Sequence, residues 1–261
     1  MQVAYGSLPA IPTPFSENGR IDYGAFQALI DNQIDHGTQA IFVMGSAGEP
    51  TLLSLEERKE IISKVVPMCK GHIRVYFGAT LPTTEQTISF SRYAQDNGAD
   101  GLIYSAPAYI MLSQDAYLAF LKEAMGSVSI PVGLYQNKGR TGVSLPAAAL
   151  LKLQEACSNF SLVKEATADV RHIQEVCRLL QDKISIMGVD APSCSNLLLV
   201  QSLGGSGVSH ITGNLIPEIM NELCRPWTSF EQMKHCQMLY FQYYDLIEAV
   251  NRFSNPVGLK A

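Results

Sequence analysis

Residues 160–189 read FSLVKEATADVRHIQEVCRLLQDKISIMGV. The stretch opens with a short apolar run, Phe160–Lys164, and continues into a segment of helical period, Val170–Leu180. It then returns to a second apolar run, Ile184–Gly188. Two short apolar runs joined by a helical segment describe a strand, a helix and a second strand. The same rhythm extends in both directions. Downstream, a helix is predicted at Ser193–Leu203 and a strand at Gly207–Ile211. Upstream, strands are predicted at Leu8–Ile11, Ala40–Met44, Arg74–Gly78, Gly101–Ser105 and Pro131–Tyr135.

The intervening segments carry helix signals. Phe26, Leu29, Ile30 and Ile34 share one face, and Gly37 ends that helix. Ser54 and Glu57 form a capping box ahead of Ile61, Ile62, Val65 and Val66. Thr83 and Gln86 open the next helix in the same way, and another spans Ser113–Met125. Pro146 sits early in a helix reaching Ala156, where its missing N–H costs nothing. Eight such units predict an α/β protein, a closed (β/α)₈ TIM barrel more than an open doubly wound sheet. Ile216–Leu223 and Phe230–Val250 read as further helices. The expected organisation is a barrel core over residues 1–215, with C-terminal helices over 216–261 packed on it within one domain.

Composition excludes several classes. The chain has 261 residues, 47% hydrophobic and only 16% charged, enough apolar mass for a large core and too much for disorder. The net charge is −5 with no basic stripe, so nucleic acid is not an expected partner. No apolar run approaches the ~18 residues of a membrane span. Met1–Phe15 lacks a basic start and carries Pro9, Pro12 and Pro14, unlike a secretory signal. Cys69, Cys157, Cys177, Cys194, Cys224 and Cys236 form no Cys-x-x-Cys pair and read as reduced thiols of a cytoplasmic protein. The histidines show no metal-ligand spacing, so no metal is expected.

A barrel directs attention to the C-terminal strand ends. Lys164 ends the sixth strand. Alternation groups Phe160, Leu162 and Lys164 on one face and Ser161, Val163 and Glu165 on the other. With the first face inward, burial disfavours the charged amine and supplies a nucleophile for a ketone. A structural lysine paired with a strand-end carboxylate is the equally weighted alternative. Tyr135 ends the fifth strand, as a proton carrier or as an aromatic plug. Arg140, within Gly139-Arg140-Thr141-Gly142, suits carboxylate recognition or a surface turn. In Gly45-Ser46-Ala47-Gly48-Glu49, small residues let backbone N–H groups approach an anion, or simply make a tight turn. Gly204-Gly205-Ser206-Gly207 precedes the eighth strand, the wrong end for a site, and His210 reads as a barrel residue. Ala106-Pro107-Ala108-Tyr109-Ile110-Met111-Leu112 is an apolar loop that either invites association or folds over its own barrel.

Taken together, Pro12-Thr13-Pro14-Phe15, Gly45 to Glu49, Tyr135 with Gly139 to Gly142, Lys164-Glu165-Ala166-Thr167 and Asn255-Pro256-Val257 resemble the dihydrodipicolinate synthase/N-acetylneuraminate lyase family over nearly the whole chain. The resemblance implies a Schiff-base aldolase that acts on pyruvate without a cofactor and assembles as a homodimer or homotetramer. It implies that Lys164 forms the Schiff base and Tyr135 moves protons. Ser46 holds the relay hydroxyl, and Ser46 and Ala47 N–H groups bind the pyruvate carboxylate. Tyr109 corresponds to a relay tyrosine that enters the neighbouring subunit, and Arg140 to the residue holding the carboxylate of the incoming aldehyde. The reaction so implied joins pyruvate to L-aspartate 4-semialdehyde, in lysine biosynthesis. The alternatives are another 2-keto acid lyase of the family, of the 2-keto-3-deoxy sugar acid or N-acetylneuraminate type, or a catalytically weak 2-keto acid binder. Three departures stand out. Ser46-Ala47 occupies the usual threonine pair, and Tyr135-Gln136-Asn137-Lys138 replaces Tyr-Asn-x-Pro. The helical extension after Asn255-Pro256 is shorter than the family's.

Overall fold

The computed structural model of the chain describes residues 5–191 and 196–261. Eight parallel strands form one sheet: β1 Gly6–Pro9, β2 Ala40–Val43, β3 Arg74–Gly78, β4 Gly101–Tyr104, β5 Val132–Gln136, β6 Phe160–Glu165, β7 Ser185–Val189 and β8 Gly207–His210. Their order is β1-β8-β7-β6-β5-β4-β3-β2. The ring closes where Ala10 bridges Phe42, with Ile11 N–H donating to Phe42 O at 2.9 Å. This crossing to β2 is why β1 ends at Pro9 and not at Ile11.

The helices follow the expected rhythm: α1 Tyr23–Asp35, α2 Leu55–Cys69, α3 Thr84–Asp96, α4 Gln114–Gly126, the short α5 Lys138–Thr141, α6 Ala147–Ala156, α7 Val170–Leu180 and α8 Leu197–Ser202. Then come α9 Pro217–Leu223, α10 Phe230–Gln242, α11 Tyr244–Asn251 and α12 Val257–Lys260. The Ser54–Glu57 capping box forms reciprocally, whereas Thr83 caps α3 from one side, through Gln86 N–H. Pro146 is the N-cap of α6, just outside the helix. The single helix expected over Phe230–Val250 divides at Tyr243, which closes α10 and opens α11. Ser193, where the helix expected to reach Leu203 begins, and Cys194, one of the cysteines, lie outside the described residues.

Two apolar layers result. Leu8, Phe42, Tyr76, Ile103, Leu162 and Met187 fill the barrel, while a larger cluster containing Phe26, Ile30, Ile61, Phe77, Leu102 and Val163 lies in the other core. Phe160 belongs to that larger cluster and not to the interior face. The cause is an irregularity: Val132 pairs with Phe160 but Gly133 with Leu162, so the register skips Ser161. Leu162 and Lys164 retain the inward alternation. At the C-terminal end, Val250 of α11 joins the barrel-interior cluster, with Leu246 and Leu259 packed against it. Cys69, Cys157, Cys177, Cys224 and Cys236 are free and buried, and burial pushes the Cys69 thiol up to about 12. Among the described residues no helix is long and apolar enough to cross a membrane.

Gly101 lets the Tyr76 ring enter the barrel. A Cβ there would stand 2.5 Å from the ring and 2.9 Å from Pro131 O. Neither neighbour is a flexible chain end, so Gly101→Ala is expected to lose about 1–3 kcal/mol by overpacking. Urea denaturation measures this, and an unchanged midpoint would mean that the ring yields freely.

Candidate active site

Lys164 stands beside Tyr135 in the β5–β6 register. It is only 6% exposed. Its Nζ lies 4.7 Å from the centre of the Tyr135 ring and 5.5 Å from that of Phe42. Glu165, the adjacent carboxylate, takes the opposite face. Its Oε1 accepts from Gln136 Nε2 at 2.8 Å and lies 3.2 Å from His172 Nε2. Alternation along β6 therefore separates an amine facing the barrel from a carboxylate engaged behind the sheet.

Tyr135 is half-buried: its ring packs against the interior cluster and its hydroxyl accepts from Asn137 Nδ2 at 2.8 Å. Asn137 has a second task. Its Oδ1 accepts from Arg140 N–H at 3.1 Å and so caps the short α5 that carries the guanidinium. Gln136 points away from the cavity, its amide bonded to both backbone groups of Leu145. The Gln136-Asn137-Lys138 sequence is thus a working turn, in which Asn137 links Tyr135 to Arg140.

Lys164, Tyr135, Ser46 and Arg140 all line one cavity of about 810 Å³. An adjoining cavity of about 470 Å³ shares Ser46, Tyr135 and Arg140 and is walled by Ser254 to Val257. Ser46 and Ala47 begin a single 3₁₀ turn, Ser46–Gly48, with Ala47 fully buried. The first N–H groups of such a turn have no acceptor within it and are available to an anion. Tyr109 is the exception. It is 99% exposed at φ +75° and lines neither cavity of its own chain.

The larger cavity also receives His210, read in the sequence as a barrel residue, and acidic groups with no sequence signal. His210 is buried, and its Nδ1 accepts from Gly213 N–H at 3.1 Å. The proton therefore sits on Nε2, which donates to Ser7 Oγ at 2.8 Å. Burial first, opposed by Asp190 and aided by Lys164, lowers the imidazole to about 4, so it is neutral at neutral pH. Asp190 is bound by Ile211 N–H, Thr212 N–H and Thr212 Oγ1, the last at 2.6 Å. Asp245 and Glu248 of α11 complete the acidic side of the mouth. Ser7 and His210 are 203 residues apart, a pairing that no local pattern encodes.

Comparisons with known proteins place the chain as a whole. The model of the dihydrodipicolinate synthetase family matches residues 4–261. The 4-hydroxy-tetrahydrodipicolinate synthase of Methanococcus aeolicus is 32% identical over 255 residues, covering 98% of this chain and 86% of the relative. That of Campylobacter hominis is 34% identical over 260 residues, covering 98% and 84%. The crystal structure of dihydrodipicolinate synthase from Aquifex aeolicus superposes with a TM-score of 0.91 at 29% identity, covering 98% of this chain and 86% of that one.

The Glu165–His172 contact generates a pH prediction. The bond to Glu165 is the main cause of a raised His172 pKa, against the opposing effect of burial. The folded chain then holds this proton more tightly than the unfolded chain. The stabilisation is complete below about 6.5, the ordinary histidine value, and fades as pH rises through the raised folded value. The stability lead of wild type over His172→Gln should therefore be larger at about pH 6 than at about pH 8.5 in urea unfolding. A lead that grows with pH would contradict the assignment. Comparing the two chains removes the contribution of His210, whose lowered value acts in the opposite direction.

Proposed function

This chain belongs to the dihydrodipicolinate synthetase family, whose members are aldolase-type lyases, and on that premise we propose that it condenses pyruvate with L-aspartate 4-semialdehyde through a Schiff base on Lys164. The uncharged amine attacks the pyruvate ketone and gives a carbinolamine. Loss of water forms the imine, and loss of a methyl proton turns it into an enamine, a carbon nucleophile for the aldehyde. Ser46 and Ala47 N–H groups hold the pyruvate carboxylate, and the Ser46 hydroxyl takes part in the relay. The Tyr135 hydroxyl, held by Asn137, carries protons to and from the carbinolamine oxygen. Arg140 receives the carboxylate of the aldehyde. The single observation that carries this reading is the shared cavity: a buried lysine, the hydroxyls of Tyr135 and Ser46, and the Arg140 guanidinium open onto the same space.

The relay needs Tyr109 from elsewhere. Ile110 and Met111 beside it are 52% and 72% exposed, and Met111 shares the positive φ, at +52°. A strained loop that exposes Tyr109, Ile110 and Met111 while Leu112 anchors it to the core suits a two-fold contact, in which each copy gives Tyr109 and receives one. The minimal active unit in this reading is a homodimer. The C-terminal helices belong to the same domain as the barrel and wall the site.

Lys164→Ala should abolish the condensation. Tyr135→Phe should lower kcat by roughly 10²–10⁴-fold with the fold intact, the range for one proton-transfer group. Full turnover in the first variant would overturn the mechanism, and an unchanged kcat in the second would make Tyr135 a packing residue. A second test mixes inactive Lys164→Ala and Tyr109→Phe subunits under exchange. The mixed dimer holds one site with both native residues, so activity should return. Mixed dimers that form but stay inactive would show that Tyr109 does not act across the contact.

A further inference from the structure

The turn carrying Ser46 and Ala47 is strained at both ends. Met44 and Glu49 adopt left-handed backbone, with φ +57° and +49°, and neither is glycine. Such conformations persist where surrounding contacts hold them. From the β1 side, Thr13, fully buried, donates its hydroxyl to Gly48 O at 2.6 Å. From the opposite end of the chain, Lys260 of α12 reaches the same place. Its Nζ donates to Thr13 O at 2.8 Å, pairs with the Glu49 carboxylate, and lies 4.8 Å from the centre of the Phe15 ring. Only about a third of the Lys260 side chain and a quarter of the Glu49 side chain meet solvent (33% and 24%). One ammonium therefore grips both the strained residue that ends the turn and the residue that holds its last carbonyl. The segment leading into α12, Ser254 to Val257, lines the cavity it shares with Ser46 and Glu49.

We infer that Lys260 is a positioning residue for the keto-acid carboxylate: with Glu49 and Thr13 it fixes the Ser46–Gly48 turn so that its N–H groups are aimed before substrate arrives. The inference rests on the reading of Ser46 and Ala47 as the pyruvate carboxylate site. Lys260 touches neither the reacting carbon nor Lys164 in this account; it acts through the turn. Preorganised donors lose less on binding than donors that must first be ordered. The effect of removing Lys260 therefore falls on pyruvate and not on the aldehyde.

The test uses Lys260→Met, which keeps an apolar stem over Phe15, Glu49→Gln, the double variant, and Lys260→Arg, which restores a cation. Two quantities are read: the pyruvate concentration that half-saturates borohydride trapping, and the KM of each substrate. Lys260→Met and Glu49→Gln should each raise the pyruvate values roughly tenfold, the weight of one charged hydrogen bond, while the aldehyde KM stays put. The double variant should be no worse than either single one, and Lys260→Arg should recover most of the loss. Thermal unfolding of each variant separates this from a folding defect, which would reduce the active fraction and leave both KM values unmoved. Equal shifts for both substrates, no shift, or additive effects in the double variant would overturn the inference. If the wild-type chain traps no pyruvate at all, the proposed function fails and the inference fails with it. Trapping in wild type with an unshifted Lys260→Met overturns the inference alone.

Discussion

An amine buried inside a ring of parallel strands is the constraint on which the rest of this molecule depends. Lys164 points into the barrel against the rings of Tyr135 and Phe42. Taking such a group out of water is costly unless its surroundings are arranged for it. The arrangement begins one residue away. Glu165 is turned behind the sheet to His172 and Gln136, so the carboxylate next in sequence is engaged elsewhere. The skipped register at Ser161 moves Phe160 out of the interior face while Leu162 and Lys164 remain on it. Below the amine, the interior layer of Leu8, Phe42, Tyr76 and Leu162 leaves the strand ends as the way in.

The other groups arrive from separate parts of the chain and are each held by local chemistry. Asn137 binds the Tyr135 hydroxyl with its amide N–H and caps the turn bearing Arg140 with its oxygen, so one side chain sets the spacing between a phenol and a guanidinium. The Ser46 turn is held by Thr13 from β1 and Lys260 from α12. Because α11 and α12 also wall the cavities, the last helices serve the site as much as the core. Val250 and Leu259 pack onto the barrel interior while Asp245 and Glu248 line the larger cavity. Neutral His210, tied to Ser7, closes the side of the barrel where β8 meets β1.

The alternation of strands and helices was legible because it is written in short-range periodicity, and the barrel followed from its eightfold repetition. Lys164, Tyr135, Ser46 and Arg140 could be singled out because barrel geometry limits attention to strand ends, and the structure brings these four to one cavity. Three features escaped for physical reasons. The irregularity at Ser161 is a property of the pairing between β5 and β6, invisible in β6 alone. The division at Tyr243 interrupts a stretch whose composition is helical on both sides. The contacts Ser7–His210 and Lys260–Glu49 join residues 203 and 211 positions apart, and only the closed fold brings them together. The Tyr109 loop was legible as apolar and unusual; in the fold its residues divide, with Tyr109 99% exposed and Leu112 packed against the chain's own core.

The central claim is that Lys164 and the Ser46–Ala47 turn form one keto-acid site. A crystal structure after soaking in pyruvate tests it most directly. The account predicts continuous density from Lys164 Nζ to the pyruvate carbonyl carbon, with the carboxylate on the N–H groups of Ser46 and Ala47 and the Tyr135 hydroxyl beside the new bond. An imine on a different lysine, or a Lys164 adduct whose carboxylate rests elsewhere, would contradict it.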